Sequence, residues 1–273
     1  MHSWEWKSQG DRSYLTCQLL QPWPHGFFTR HFYPDAPETL VQHLDRSASV
    51  HRVKQVHGNA ILNPTELRSP LSPKPSSTVV ADLHEADGIL SDEHQQSLWV
   101  CSADCVPVLI GDIETGHTAA IHAGWRGTAA RIVPMAIARL QTQGSHLKNL
   151  RIAMGPAIAG DVYQVSKTVA AQLSTSLSPI QSLNTHDPHS NPDDILQFLN
   201  EITPSPLYPD DHPGRVKIDV RCINQLQLES LGIQPSQITV APHCTYQQPD
   251  EFFSYRRTHQ KQVQWSGIVS QLK

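Results

Sequence analysis

No stretch of the chain approaches the roughly 18 consecutive apolar residues that a membrane-spanning helix requires. The most apolar run, residues 98–110, is broken by Asp104 and has the length of core strands, so no membrane crossing is expected. The N-terminal stretch MHSWEWKSQGDRSY lacks the basic and apolar regions of a secretory leader, which reads as a cytoplasmic protein. Basic clusters are also missing. Lys and Arg number 21 against 25 Asp and Glu, a net charge of -4, so the electrostatic footprint of a nucleic-acid binder is absent. Cysteine is sparse and odd in number. Cys17, Cys101, Cys105, Cys222 and Cys244 are scattered too widely for a disulfide framework, and a reduced compartment fits them. The 16 histidines include no His-x-His pair, and methionine occurs only at positions 1, 135 and 154, which leaves little material for a multicopper or blue-copper centre. No repeat or amphipathic stripe suggests a pure partner-binding scaffold.

What is present is the composition of an ordinary globular protein: 273 residues, 38% hydrophobic and 17% charged. At roughly 150 residues per domain this is one large unit or two small ones, in either case able to bury a core. Seven of the 21 prolines fall in residues 179–213, and four more in 64–77. Both stretches read as proline-rich surface insertions within a single domain spanning 1–273, the first-named carrying at most a short helical turn near 194–201.

Between them, apolar runs alternate with helical periodicity. Residues 98–110, 118–122, 150–154, 216–219 and 238–241 read as buried strands. Residues 129–140, 166–177 and 220–231 read as helices. Thr128 is the expected cap of the first, and Pro134 either kinks that helix or moves its start. Gly232 ends the third. The alternation predicts an α/β chain, with a mixed sheet and helices packed on sheet faces.

Three candidate metal ligands stand at the ends of these strands: His57 in VKQVHG, Cys105 in CSADCVPVLIGD and His122 in AAIHAGWRG. Two imidazoles and a thiolate match the donor set of Zn²⁺, with a fourth position left for water or substrate, as in catalytic sites. Such a site requires the three donor atoms to lie within about 4 Å of one another. Taken singly, each histidine could equally be a hydrogen-bonded core residue and Cys105 a small buried hydrophobe, because separations of 48 and 17 residues form no local ligand motif.

The motifs KQVHG, ADGILS, ADCVPVLIGD, AAIHAGWRGTAARIV, GPAIAGDVYQV and FFSYRR, in that order, resemble the laccase-domain family over residues 26–267. Its bacterial members were long labelled multicopper polyphenol oxidases and later recognised as zinc-dependent purine nucleoside phosphorylases. The resemblance implies a mixed α+β single-domain fold of β-sheets flanked by helices. It further implies a zinc site at His57, Cys105 and His122. The activity implied is phosphorolysis of adenosine, inosine, guanosine and methylthioadenosine, with adenosine deamination beside it. Two departures stand out. GPAIAGDVYQV lacks the thiols of the family's GPCIGPCCYEV, with Ala157, Asp161 and Val162 in their place and Gln164 for a carboxylate. Thr258 and His259 follow Arg257 where relatives have Asp-Gly.

That chemistry needs a phosphate site, a ribose clamp and stabilisation of the departing purine. Arg126, in the Gly-Trp-Arg-Gly turn entering a helix, is the expected phosphate ligand, its alternative being a surface ion pair. Asp104 or Asp87 could shuttle the proton of a deamination, or serve as turn-former or cap. Tyr163, Ser254, Tyr255 and Arg256 fall in matching motifs as candidates to hold ribose or base. Arg257, His243 and Cys244 read as structural. Two rival activities remain: a copper-dependent polyphenol oxidase, since Cu²⁺ can occupy the same ligands, and a hydrolase with Cys105 as nucleophile and His57 or His122 as base.

Overall fold

The computed structural model describes residues 2–68, 83–177 and 192–272. Two six-stranded mixed sheets and a smaller three-stranded sheet make the frame, with helices against them. One large sheet runs in the order Trp4–Gln9, Arg12–Cys17, His25–Phe28, Gln264–Val269, Gln96–Ser102 and Ser49–Arg52. The other runs Ile238–Val240, Leu150–Met154, Val106–Asp112, Thr118–Ala123, Gly88–Leu90 and Ile61–Leu62. Among the described strands the parallel pairs are Ser49–Arg52 with Gln96–Ser102, Ile61–Leu62 with Gly88–Leu90, and Ile238–Val240 with Leu150–Met154; the other pairs are antiparallel.

The two large sheets face each other. Leu15, Phe27, Leu98, Val100 and Ile268 of the first pack against Ile89, Leu109, Ala120 and Ala153 of the second. The far side of the second sheet, with Val106, Val108, Ile110, Ala119 and Ile121, is covered by the Ile132–Thr142 and Val220–Ser230 helices. A strand buried on both faces has no polar face to show, which is why 106–112 and 118–123 read as continuous apolar runs.

The 98–110 run is two strands rather than one. Gln96–Ser102 ends in the first sheet, the chain turns at Ala103, Asp104 and Cys105, and Val106–Asp112 enters the second. The chain makes a similar crossing at residues 53–60, between Ser49–Arg52 and Ile61–Leu62, and His57 lies on it. The candidate ligands His57 and Cys105 therefore both sit where the chain passes between sheets.

Other expectations are adjusted. Trp125–Ala129 forms a helix of its own, Arg131 takes a left-handed conformation (φ 59°), and Ile132–Thr142 follows. Pro134 is then the third residue of a new helix, where its missing N–H breaks no bond, so it moves the start instead of kinking a longer helix. Thr128 is not the cap. It lies inside the short helix, and its Oγ1 accepts from Asn224 Nδ2 at 3.0 Å. Ser166 caps Lys167–Thr175, and Asp219 caps Val220–Ser230 with two backbone bonds.

Parts of both proline-rich stretches are ordered into helices. Pro64–Arg68 is a helix, and residues 69–77 lie outside the described residues. In the longer segment residues 179–191, with His186 and His189, likewise lie outside. Pro192–Glu201 is a ten-residue helix that buries Leu196 and Leu199 in the main core, and Leu207–Tyr208 joins the small sheet. Proline density hid the leucine spacing that anchors that helix. His212 stays largely exposed and bonds Asp210.

Candidate metal centre

His122 lies near the end of Thr118–Ala123, across from Pro107 in the hairpin with Val106–Asp112. Continuing that register by two places sets Gly124 opposite Cys105. A Cβ on Gly124 would stand 3.0 Å from Cys105 Sγ and 3.4 Å from His57 Cδ2, so the thiol and imidazole can approach this closely because the facing residue has no side chain. His57 reaches the same point from a left-handed backbone (φ 61°), and Asp104, next to Cys105, has φ 99°. Non-glycine residues in that region carry strain that the surrounding structure must hold.

One donor atom from each of His57, Cys105 and His122 lies within 4.8 Å of the others. That envelope is wider than the expected span of roughly 4 Å for donors bound to one zinc ion, so a bound ion would have to draw the donors together. The two imidazole rings are 4.8 Å apart and nearly perpendicular at 87°, so they do not stack. His57 is exposed while His122 is buried, which gives the centre an open and a closed side.

Asp87 organises the centre. Its Oδ1 accepts from His122 Nδ1 at 2.8 Å and from the His57 backbone N–H at 2.9 Å. Its Oδ2 accepts from the Gly58 and Val56 amides at 2.7 and 3.2 Å. One fully buried carboxylate thus orients one ligand ring and pins the backbone carrying the other. Burial pushes the Asp87 carboxyl up, but the His122 bond and the loop amides outweigh it and hold its pKa below the usual range.

The ligands are an electrostatic pair without any ion. Burial works against a charge on Cys105, yet the His122 and His57 imidazoles overcome it and lower its pKa to about 6. Burial likewise opposes charge on His122, and the Cys105 thiolate with Asp87 raises it to about 9. A thiolate, an imidazole whose outer nitrogen is held by a carboxylate, and a second imidazole are the chemistry a zinc-type ion accepts, so the residues fit the group.

Cys105 separates two hollows. On one side a pocket of about 490 Å³ is lined by Gln55, His57, Cys101, Ser102, Ala103, Cys105, His122, Tyr255 and the 260–263 segment. On the other a narrow crevice of about 30 Å³ lies between Trp125 and Tyr163, with Asp104 and Ile158. The Arg126 guanidinium lies over the Trp125 ring at 4.4 Å, and that of Arg256 over Tyr163 at 4.8 Å. Arg126 is exposed and does not line the larger pocket.

Asp104 is a clamp in this structure. Its Oδ1 accepts from the Thr245 hydroxyl and its Oδ2 from the Arg256 backbone N–H, both at 2.7 Å. Asp87 takes four N–H donors, so both carboxylates are engaged in bonds that hold the site's backbone and His122. Ser254, 1% exposed, caps the Tyr255–Thr258 helix with its hydroxyl and does not line the pocket, whereas Tyr255 does. Arg257 donates to the carbonyls of Thr245, Tyr246 and Phe252, His243 bonds Gln248, and Cys244 Sγ accepts from Ala159, so these three are structural.

The sequence reading gave no role to Gln55, Cys101, Ser102 or Lys261. Gln55 pairs with the Cys101 backbone through both ends of its amide (2.7 and 2.8 Å), mimicking a strand neighbour. Burial pushes the Cys101 thiol up to about 12, so it is inert beside Cys105.

The profile of the family described as multi-copper polyphenol oxidoreductase laccase matches residues 36–270. The purine nucleoside phosphorylase slr1573 of Synechocystis sp. is 51% identical over 268 residues, 98% of this chain and 97% of that protein. The adenosine deaminase RL5, from an unknown prokaryotic organism, is 29% identical over 177 residues, 65% of this chain and 59% of that protein. Among solved structures, YlmD from Geobacillus stearothermophilus superposes with a TM-score of 0.74 at 23% identity, covering 98% of this chain and 99% of that one, which establishes the shared fold.

Proposed function

The chain belongs to the multi-copper polyphenol oxidoreductase laccase family, and from that premise we propose that it is a zinc-dependent purine nucleoside phosphorylase acting on adenosine, inosine, guanosine and methylthioadenosine. The observation that carries the reading is the His57–Cys105–His122 cluster, tied down by Asp87, at the wall of a 490 Å³ pocket. The pocket lies within the range of small-molecule sites. The similarity to the Synechocystis phosphorylase over nearly the full length of both chains supports the same reading.

His57, Cys105 and His122 would hold the ion. When bound, zinc supplies a Lewis acid that draws charge from a coordinated oxygen or ring nitrogen and acidifies water. In phosphorolysis an oxygen of HPO₄²⁻ bonds to ribose C1′ and the C1′–N9 bond breaks, its electron pair leaving with the purine. The hydrogen of the phosphate ends on the base. The chain's own part is positioning: Asp87 keeps His122 oriented and fixes the 56–58 backbone, while Tyr255 offers an aromatic face at the pocket. Trp125 and Tyr163 line the crevice on the other side of Cys105, and Arg126 and Arg256, lying over those two rings, would brace the wall behind the reacting groups.

Adenosine deamination is the second reading, favoured by the similarity to adenosine deaminase RL5. A polyphenol oxidase is less favoured, because neither Met135 nor Met154 lines the pocket to provide an axial ligand. A Cys-His hydrolase would need Cys105 free to attack, which ligation prevents. A nucleoside panel assayed with and without phosphate tests the proposal. Ribose-1-phosphate formation that requires phosphate supports it, and base release indifferent to phosphate refutes it. Inosine formed from adenosine without phosphate reports the second activity.

A further inference from the structure

We propose that Ser102 and Lys261 form an oxyanion subsite within the pocket of the His57–Cys105–His122 cluster, and that its ligand is inorganic phosphate; the inference rests on the phosphorylase reading for that ligand's role as co-substrate. Ser102 is 3% exposed, lines the pocket, and its Oγ has no hydrogen-bond partner. Of the buried side-chain atoms without a partner among the described residues, only Ser102 Oγ belongs to a residue lining this pocket, where a ligand atom would complete it. Its surroundings offer no substitute. The cross-strand neighbour Gln264 spends both ends of its amide on the Phe253 backbone, and Asp104 is held by Thr245 and Arg256.

Lys261 arrives at the same place through topology. Gln264 opens its strand directly across from Ser102, so the segment three residues earlier passes over the pocket that Ser102 borders. Among the described residues Lys261 is in no ion pair or hydrogen bond. The pocket lining contains no Asp or Glu, which leaves this ammonium as its formal cation apart from the histidines. A hydroxyl donor and an exposed cation, with no carboxylate in the lining and the Cys105 thiolate engaged by its two imidazoles, suit a phosphate better than a sugar ring, which would call for acceptors. Arg126, the phosphate ligand expected from the turn motif, lies outside this pocket and is exposed over Trp125.

Calorimetric titration of the zinc-loaded protein with inorganic phosphate tests the subsite directly, with Ser102→Ala, Lys261→Gln and Arg126→Ala in parallel. Lys261→Gln should weaken phosphate binding roughly tenfold to a hundredfold, and Ser102→Ala roughly threefold to tenfold. Lys261→Arg should retain most of the affinity. Because the Ser102 hydroxyl makes no bond in the protein, Ser102→Ala should unfold at no lower temperature than wild type. In steady-state assays both variants should raise KM for phosphate and leave KM for the nucleoside unchanged.

The opposite split, a raised nucleoside KM with phosphate unaffected, would assign the pair to ribose and overturn the proposal. So would the absence of phosphate binding in wild type, or a loss of phosphate affinity confined to Arg126→Ala. Phosphate-dependent cleavage indifferent to both variants would remove the subsite and leave the phosphorylase reading standing. Phosphate held through the pair with no nucleoside cleaved would support the subsite and remove that reading.

Discussion

His25 and His122 are both buried histidines in strands of the two facing sheets, 6% and 3% exposed, yet they are driven in opposite directions. His25 accepts from the Cys17 N–H at Nε2 (2.9 Å) and donates from Nδ1 to the Trp23 carbonyl (2.8 Å). Its partners are neutral, so burial dominates and lowers its pKa to about 4. Burial presses on His122 in the same sense, but a thiolate on one side and a carboxylate on the other reverse the outcome. Burial of an imidazole is therefore no sign of function here. The charge of what it touches separates the structural ring from the ligand ring.

The largest effect expected from that contrast is at the thiolate. Cys105→Ala should abolish zinc binding and lower nucleoside turnover by at least about a hundredfold while the fold persists, since one small side chain is lost and two imidazoles cannot complete the site. Metal analysis beside thermal unfolding checks it. If zinc and fold are lost together, the ion is structural.

Next in size is Asp87→Asn, which removes the charge from His122 Nδ1 and weakens the acceptor for three loop amides. Zinc affinity should fall roughly ten- to a hundredfold. In metal-free protein the same variant should raise the pH at which Cys105 becomes reactive. In wild type, alkylation of Cys105 should have a midpoint near pH 6, the thiolate being present above it and lost below it, whereas Cys101 and Cys17, both pushed up to about 12, stay protected. A midpoint near 9 would mean the imidazolium partner is missing.

The smallest effect belongs to His25. Its folded pKa lies below the unfolded 6.5, so the unfolded chain binds more protons between those values and stability falls as pH drops from about 6.5 towards 4. The full loss is at most about 3 kcal/mol. His25→Gln, which cannot titrate, should flatten that part of the profile in urea denaturation at pH 7 and 4.5. Cys105 and His122 behave differently. Together they hold one proton between about 6 and 9 when folded, and one between 6.5 and 9.0 when unfolded, so they add little pH dependence to stability in that window.

The sequence made the three ligands legible because each stands in a distinctive motif, although His57 lies on the 53–60 crossing and not, as expected, at a strand end; strands such as 150–154 are plain from their apolar runs. It did not reveal that 98–110 changes sheets, since Ala103-Asp104-Cys105 carries no glycine or proline to mark the corner. Asp87 was visible as a carboxylate in ADG but not as the group joining His57 to His122, because its partners are 35 residues away and backbone amides. Ser102 and Lys261 line one pocket only because Ser102 pairs with Gln264 across the sheet, a relation that local spacing does not encode.

Stepwise addition of zinc to metal-free protein, with bound metal and ribose-1-phosphate formation followed on the same samples, decides whether the ion is catalytic. Phosphate-dependent cleavage should rise in proportion to bound zinc, saturate at a single equivalent per chain, and be absent from Cys105→Ala at every zinc concentration. Full phosphorolysis by metal-free protein, or by Cys105→Ala, would contradict it.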